Sequence, residues 1–477
     1  VGRQVTAGVG AAAPATSTRG ARVVAALCFS VMTLSILQAA VVPVIPTMAR
    51  QLEVGPTAVG WILTANLLAA AVSTPVLGRL ADQRGGRPVL IGTLVVVVAG
   101  SVLCVLAQSL PLLLVGRVLQ GTAFALFPVG VGVLREVLDE RRLTHAIGLM
   151  SGIMAAGGGI GMVAAGVLVS GDGGYRRVFW MLLALSVVSL VVTWIAIPCA
   201  AAVESGGERF DFAGTALLAV GLCALLLAVA EGKRWGIGVV LALAVGGVAV
   251  LLYWLRHEKR CAAPLVPPHT LTGRAVAPAH VAAVLVGAAM YVQFLGIAQF
   301  VQVDSTVAGY GFGAGVLQAS LLFLLPGSIA GVLSASVSGR LIHRFRGDRV
   351  LAAMCAIGVV GFGVLIFAHE RPWQVVVAAV VINVFVSGAY AALPSLLVDA
   401  VLASDTGVVN GVNAIARIFG SSLASAAVAA LLASMTVPDA SVASEAAFTV
   451  AFWIGGAAAA AAGLFGAAHR WLSKDKI

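Results

Sequence analysis

The sequence predicts an all-α protein threaded many times through a lipid bilayer, and three observations carry that reading. Hydrophobic residues make up 60% of the 477 positions and charged residues only 10%, against about 45–50% and about 25% in soluble domains. Apolar runs of about twenty residues, long enough to cross a bilayer as helices, recur between residues 22 and 469. The runs lack the short in-and-out alternation of a barrel, so helices are left to satisfy the backbone in lipid.

Fourteen such runs are present. Six lie in residues 22–198, two more with their flanking loops in 199–275, and six in 276–469. Residues 1–21 are small, polar and free of acids, which predicts a disordered tail, and residues 470–477 form a second tail. An even number of crossings puts both termini on one side. With that side taken as cytoplasmic, 21 of the 29 Lys and Arg fall in inner segments, six in outer loops and two inside runs. That bias predicts cytoplasmic N- and C-termini. It also explains the formal charge of +10 without a nucleic-acid partner.

The cysteines Cys28, Cys104, Cys199, Cys223, Cys261 and Cys355 stand singly, with no C-x-x-C and no run of histidines. Inert thiols and no metal site are expected. Nor does a cofactor motif or catalytic cluster appear, and the longest loop between runs, residues 256–275, is too short for a catalytic domain. A transporter is expected rather than an enzyme.

Two charged stretches are near copies: "GRLADQRGGRPVL" at 78–90 and "GRLIHRFRGDRVL" at 339–351. Each follows the second run of a six-run group, the mark of an internally duplicated transporter whose substrate path lies between its halves. The first stretch resembles the signature turn of the major facilitator superfamily at Gly78, Asp82, Gly85 and Arg87; Gln83 and Pro88 depart from it. "RVLQG" in the fourth run, with Arg117, Gln120 and Gly121, resembles a second element of that superfamily. Gly148, Gly157, Gly161 and Gly166 follow the glycine spacing of its drug antiporters, with Met162 and Ala165 as departures. Residues 210–236 and 256–266 are similar to the two extra central spans of the fourteen-span drug:H⁺ antiporters. The resemblance covers nearly the whole chain from about residue 30.

It implies a major-facilitator fold, two six-helix halves plus two extra central spans, in a bacterial inner membrane. It further implies a monomer that exports a bulky amphiphilic drug, antibiotic or secondary metabolite by alternating access, with protons as coupling ion. Gly78, Asp82, Gly85 and Arg87 would form a conformational latch, and Gly148, Gly157 and Gly161 a gating stripe in the fifth span. The second turn carries His343 in place of the acid, so the latch is expected in one half only.

Arg117 and Arg417 lie inside runs, where an arginine costs at least roughly 2.5–3.5 kcal/mol and needs a partner or a wet cavity. Both are candidate cavity residues, with Gln120, Gly121, Gln38, Asn66, Tyr291, Asn383, Tyr390 and Asn413. Every Asp and Glu falls at a run end or in a loop, and Leu37 occupies the first-run position where the resembled antiporters carry an acid. Asp304, His280, Glu231 and Asp82 itself remain as candidate proton sites. Two arginines without an embedded acid favour neutral or anionic cargo over lipophilic cations. They also support an alternative use of the same fold, the uptake or facilitated transport of an anionic metabolite.

Overall fold

The computed structural model describes residues 15–170, 174–197, 211–230, 232–261, 264, 266, 269–273, 276–398, 406–437 and 442–473. Fourteen helices among them are long and apolar enough to cross a membrane. Spans 1–6 are Gly20–Gln51, Ala58–Ala81, Gly86–Leu106, Leu110–Val137, His145–Val169 and Arg176–Ala196. Spans 7 and 8 are Phe212–Val229 and Trp235–Glu258. Spans 9–14 are Ala277–Phe300, Val316–Ile342, Gly347–Phe367, Pro372–Leu397, Val409–Ser434 and Glu445–Ala467. No β-strand is formed among the described residues, only an isolated bridge between Thr436 and Ala443.

Both predicted tails are shorter than the composition suggested. The first helix begins at Ala15 and the last ends at Ser473, so residues 15–21 and 470–473 prolong their spans as helix. At the N-terminus the reason is tertiary contact: Gly20 is buried, and a side chain there would start 3.0 Å from Leu138. Residues 1–14 and 474–477 lie outside the described residues.

Spans 1–6 pack on one another as one bundle, spans 9–14 as a second, and spans 7 and 8 form a hairpin against the outside. Glycines set the closest approaches. A side chain at Gly100 would start 2.7 Å from the Gly116 carbonyl, and one at Gly116 equally near the Gly100 carbonyl, so spans 3 and 4 meet backbone to backbone. In the second bundle spans 9 and 13 do the same, Gly287 against the carbonyl of Arg417 and Gly420 against that of Val284. The two charged turns are equivalent in space as well as in sequence. Gly86, after the first, sits against Val133 at the end of span 4, and Gly347, after the second, against Ser395 at the end of span 12.

Span 1 breaks into a 3₁₀ turn over Val42–Val44, span 8 is kinked at Gly236, and two further spans leave the α form. Span 4 tightens to a 3₁₀ turn over Thr122–Ala125, directly after Gly121, and span 10 widens to a π-helix over Ala319–Leu324. Pro326 follows that stretch, and its missing N–H and ring relax the ordinary i to i−4 ladder there.

The halves touch on the side remote from the two charged turns. Thr64 of span 2 donates to Ser425 Oγ of span 13 at 3.1 Å, Gly166 of span 5 abuts Leu317 of span 10, and Gln302 donates to the Pro43 carbonyl at 3.1 Å. Toward the turns these helices part. Gly78, Gly148, Gly152, Gly339 and Gly411 have no atom of the described residues within 4 Å of where a side chain would start. On one flank the gap is wedged by the extra hairpin: Leu218, Leu222 and Trp254 cluster with Ala71 of span 2 and Val412 of span 13. The molecule is thus open toward the side that carries its charged turns.

Candidate functional site

The site is built where spans 1, 2 and 4 face spans 9, 12 and 13. Arg117, on span 4, is fully buried. Its Nε donates to the Ile62 carbonyl at 3.1 Å, and its Nη1 to the Leu37 carbonyl at 3.4 Å and to Gln120 Oε1 at 2.7 Å. Gln120 passes the network on to Ser101 Oγ at 2.9 Å. Gln38 donates to Asn66 Oδ1 at 2.6 Å, and Asn66 donates to the backbone carbonyl of Arg117 at 2.8 Å. Four sequence-predicted residues, Arg117, Gln120, Gln38 and Asn66, therefore form one assembly. Gly121 completes it, because any side chain there would run into the Asn66 carbonyl and Ala69.

Leu37 serves the arginine through its carbonyl, so the position expected to hold an acid holds a neutral acceptor. Peptide carbonyls and an amide oxygen satisfy the guanidinium without neutralising it. Its Nη2 has no hydrogen-bond partner among the described residues.

Arg417, on span 13, is only half-buried. Its Nη1 donates to Asn413 Oδ1 at 2.6 Å, and its guanidinium lies 4.7 Å from the centre of the Tyr390 ring. A desolvated cation–π pair of this kind contributes about 0.5–2 kcal/mol. Asn413 is itself fixed by the Ala279 carbonyl at 3.3 Å, and the Tyr390 hydroxyl lies 3.3 Å from Met290 Sδ. Arg117 thus sits in the first half, and the Arg417–Tyr390 pair in the second.

Other expected site residues fall elsewhere. Asn383 caps its own helix through the Ala379 carbonyl at 3.0 Å and packs on Gly327; it stays within the second bundle. Gly157 and Gly161 pack on span 1 at Met32, Ser35 and Ile36, whereas Gly148 faces open space. The helix Glu140–Val169 is continuous through all three, so the stripe is a packing groove with no break in this state. In the first turn, Gly85 ends its helix at φ 89° and Arg87 donates to the Trp194 carbonyl at 3.2 Å. The side chains of Asp82 and His343 lie outside the described residues.

Of the candidate proton sites, neither Asp304 nor His280 is a hydrogen-bond partner of Arg117 or Arg417 among the described residues, and Glu231 lies outside the described residues. Asp304 is an exposed N-cap that accepts from Thr306 Oγ1 at 2.7 Å and Thr306 N at 2.9 Å, and these bonds hold its carboxyl below the usual carboxylate range. His280 is buried at the turn-side end of span 9, with Nε2 donating to the Thr270 carbonyl at 2.8 Å. Its role there is to tether the loop that follows span 8.

The expectation of uniformly inert cysteines and no metal-type cluster needs one correction. Asp211, His257 and Cys261 place their ligand atoms within 4.8 Å of one another at the turn-side ends of spans 7 and 8. Asp211 and His257 are 46 residues apart, and only the antiparallel hairpin brings them together.

Known proteins fall in line with this architecture. The chain is 27% identical over 369 residues to a uridine/deoxyuridine transporter of Lactococcus lactis, covering 75% of this chain and 74% of that one. It is 28% identical over 393 residues to the methylenomycin A resistance protein of Streptomyces coelicolor, covering 81% and 80%. The crystal structure of the nucleoside transporter NupG superposes with a TM-score of 0.62 at 11% identity, covering 96% of this chain and 99% of that one, a likeness of fold. A sequence model of the Major Facilitator Superfamily matches residues 27–425, and the chain belongs to that superfamily.

Proposed function

We propose that this transporter exports a bulky amphiphilic compound, such as an antibiotic or secondary metabolite, from a bacterial cell by alternating access. The observation that carries the reading is Arg417 on span 13, partly buried, with its guanidinium 4.7 Å from the centre of the Tyr390 ring. A guanidinium lying over a phenol ring offers charge-assisted hydrogen bonding and an aromatic face together. That combination suits a planar or aromatic cargo that is neutral or negatively charged. Among the described residues the two arginines have no carboxylate among their hydrogen-bond partners, which argues against lipophilic cations.

Proton coupling, cytoplasmic termini, a monomeric state and the inner-membrane location belong to the same proposal. Their support is the charge bias of the loops and the motif resemblance to drug antiporters. With the termini inside, the opening between the halves faces the cytoplasm, the state in which an exporter loads. The acidic latch at Asp82 would then belong to the opposite state, and in this one Gly78 faces open space.

Everted membrane vesicles from cells expressing the protein, loaded by an imposed pH gradient, test the reading. Cargo should accumulate while the gradient stands and leak out when it is collapsed. Accumulation that is unchanged after collapse would exclude proton antiport.

A second reading is uptake or facilitated transport of an anionic metabolite or a nucleoside. It draws on the cationic site and on the similarity to a uridine/deoxyuridine transporter. Uptake of labelled uridine by intact cells, above that of cells lacking the protein, would favour it.

A further inference from the structure

The central site does not use the cluster at the turn-side end of the extra hairpin, and its geometry points to a metal. We propose that Asp211, His257 and Cys261 bind a divalent transition-metal ion of the zinc type, pinning the loop after span 8 to the hairpin.

Three ligand chemistries converge there, a carboxylate, an imidazole and a thiol. His257 and Cys261 stand four apart on one helical turn, since the Cys261 N–H donates to the His257 carbonyl at 3.0 Å. Side chains four apart on a helix point the same way, so the pair can chelate one ion. Asp211 approaches from the adjoining span, its carboxylate 3.0 and 3.1 Å from His257 Nε2. Gly214 N donates to Asp211 Oδ1 at 2.8 Å and fixes that side chain at the start of span 7.

Zinc bonds to oxygen, nitrogen and sulfur at about 2.0–2.3 Å, which sets tetrahedral ligand atoms about 3.3–3.8 Å apart. The cluster needs only small side-chain rotations to reach that spacing. His257, whose side chain is 30% exposed, leaves the fourth position to water. Cys261 would bind as thiolate, its proton released to solvent.

The location gives the ion a mechanical consequence. Cys261 opens the loop whose Val266 packs into the cluster of Ala71, Leu218, Leu222, Trp254 and Val412. Glu258 accepts from the Val266 N–H at 3.1 Å, and His280 holds Thr270. An ion at Asp211, His257 and Cys261 would fix this loop where the hairpin meets both halves.

The test is Co²⁺ titration of the full chain, purified without a polyhistidine tag. One ion per chain is expected, with a thiolate-to-cobalt charge-transfer band in the near ultraviolet and the strong visible bands of a tetrahedral site. Cys261→Ser should abolish the charge-transfer band, Cys28→Ser should leave it unchanged, and His257→Ala should weaken binding more than tenfold. Independently of any variant, one equivalent of Zn²⁺ should protect Cys261 from maleimide. No stoichiometric binding, a Cys261→Ser spectrum like that of the unaltered protein, or labelling of Cys261 unaffected by Zn²⁺ would each overturn the proposal.

Discussion

The two halves share their backbone and divide their chemistry. The backbone carbonyl of Asn66 on span 2 presses on Gly121 of span 4, and in the second half the side-chain amide of Asn383 on span 12 presses on Gly327 of span 10. A close glycine contact recurs, made by different atoms. The arginines diverge further. Arg117 is fully buried within its own half, tied to two carbonyls and Gln120. Arg417 is half-exposed on a different helix, against Tyr390 and Asn413. Close glycine packing is thus what the repeat preserves, while the polar groups proposed for cargo binding belong to each half separately.

The largest way to break this contrast is to truncate both arginines. Arg117→Ala would leave Gln120 Oε1 without its donor and open a cavity in a dry bundle, at about 1–3 kcal/mol for the unsatisfied group alone. Thermal denaturation in detergent should show a large drop, with transport lost. Arg417→Ala removes one side-chain hydrogen bond and a cation–π contact, so its fold should survive nearly unchanged. Equal destabilisation by the two variants would show that the arginines play the same structural part.

Glycine substitutions sharpen the contrast between the closed and open sides. Gly166→Leu must displace Leu317 across the seam, whereas Gly148→Leu, on the same helix, enters open space. The first should lower stability by about 1–3 kcal/mol and bias the molecule away from the closed contact. The second should leave stability unchanged, yet slow transport if the turn side must close in the cycle. Transport by Gly148→Leu at the unaltered rate would mean that this face of span 5 stays open throughout.

The smallest effects lie in the turns. Gly85 and Arg346 end their helices in the same backbone form, φ 89°, ψ 151° and φ 71°, ψ 150°, a region open to glycine and strained for any other residue. Gly85→Ala should cost about 1–3 kcal/mol. Arg346→Gly should gain about 1 kcal/mol by relieving strain, because the ion pair it gives up with Asp348, 3.5 Å with Arg346 exposed, is of the kind worth about 0–1 kcal/mol. A loss of stability in Arg346→Gly would assign that pair a larger share than exposed ion pairs normally have.

Most of the fold was legible in the sequence because lipid imposes a simple rule: apolar runs of span length must be helices. The duplicated turn and the candidacy of Arg117, Gln120, Asn66 and Gln38 followed from motif and depth, but their joining into one network did not, because residues on three different spans meet only in the folded bundle. The length of the first helix did not, since Gly20 is held by Leu138 from the loop between spans 4 and 5 and a one-dimensional pattern carries no such contact. Asp304 and His280 were chosen for being titratable near span ends, and chemistry of type alone cannot separate a cap or a loop tether from a cavity group. Tyr390 became informative only when its ring was found beneath Arg417. Asp211, His257 and Cys261 were invisible as a set because two helices separate the aspartate from the other two.

The most direct measurement compares apparent affinity, in proteoliposomes, for an aromatic carboxylate cargo and its methyl ester in the unaltered protein and in Arg417→Ala. A charge-assisted hydrogen bond of about 1.5–3 kcal/mol corresponds to roughly 10–100-fold in affinity. Arg417→Ala should lose about that factor for the carboxylate and less than about threefold for the ester. An equal loss for both would contradict a cargo-facing role for Arg417 and with it the division of labour between the two halves.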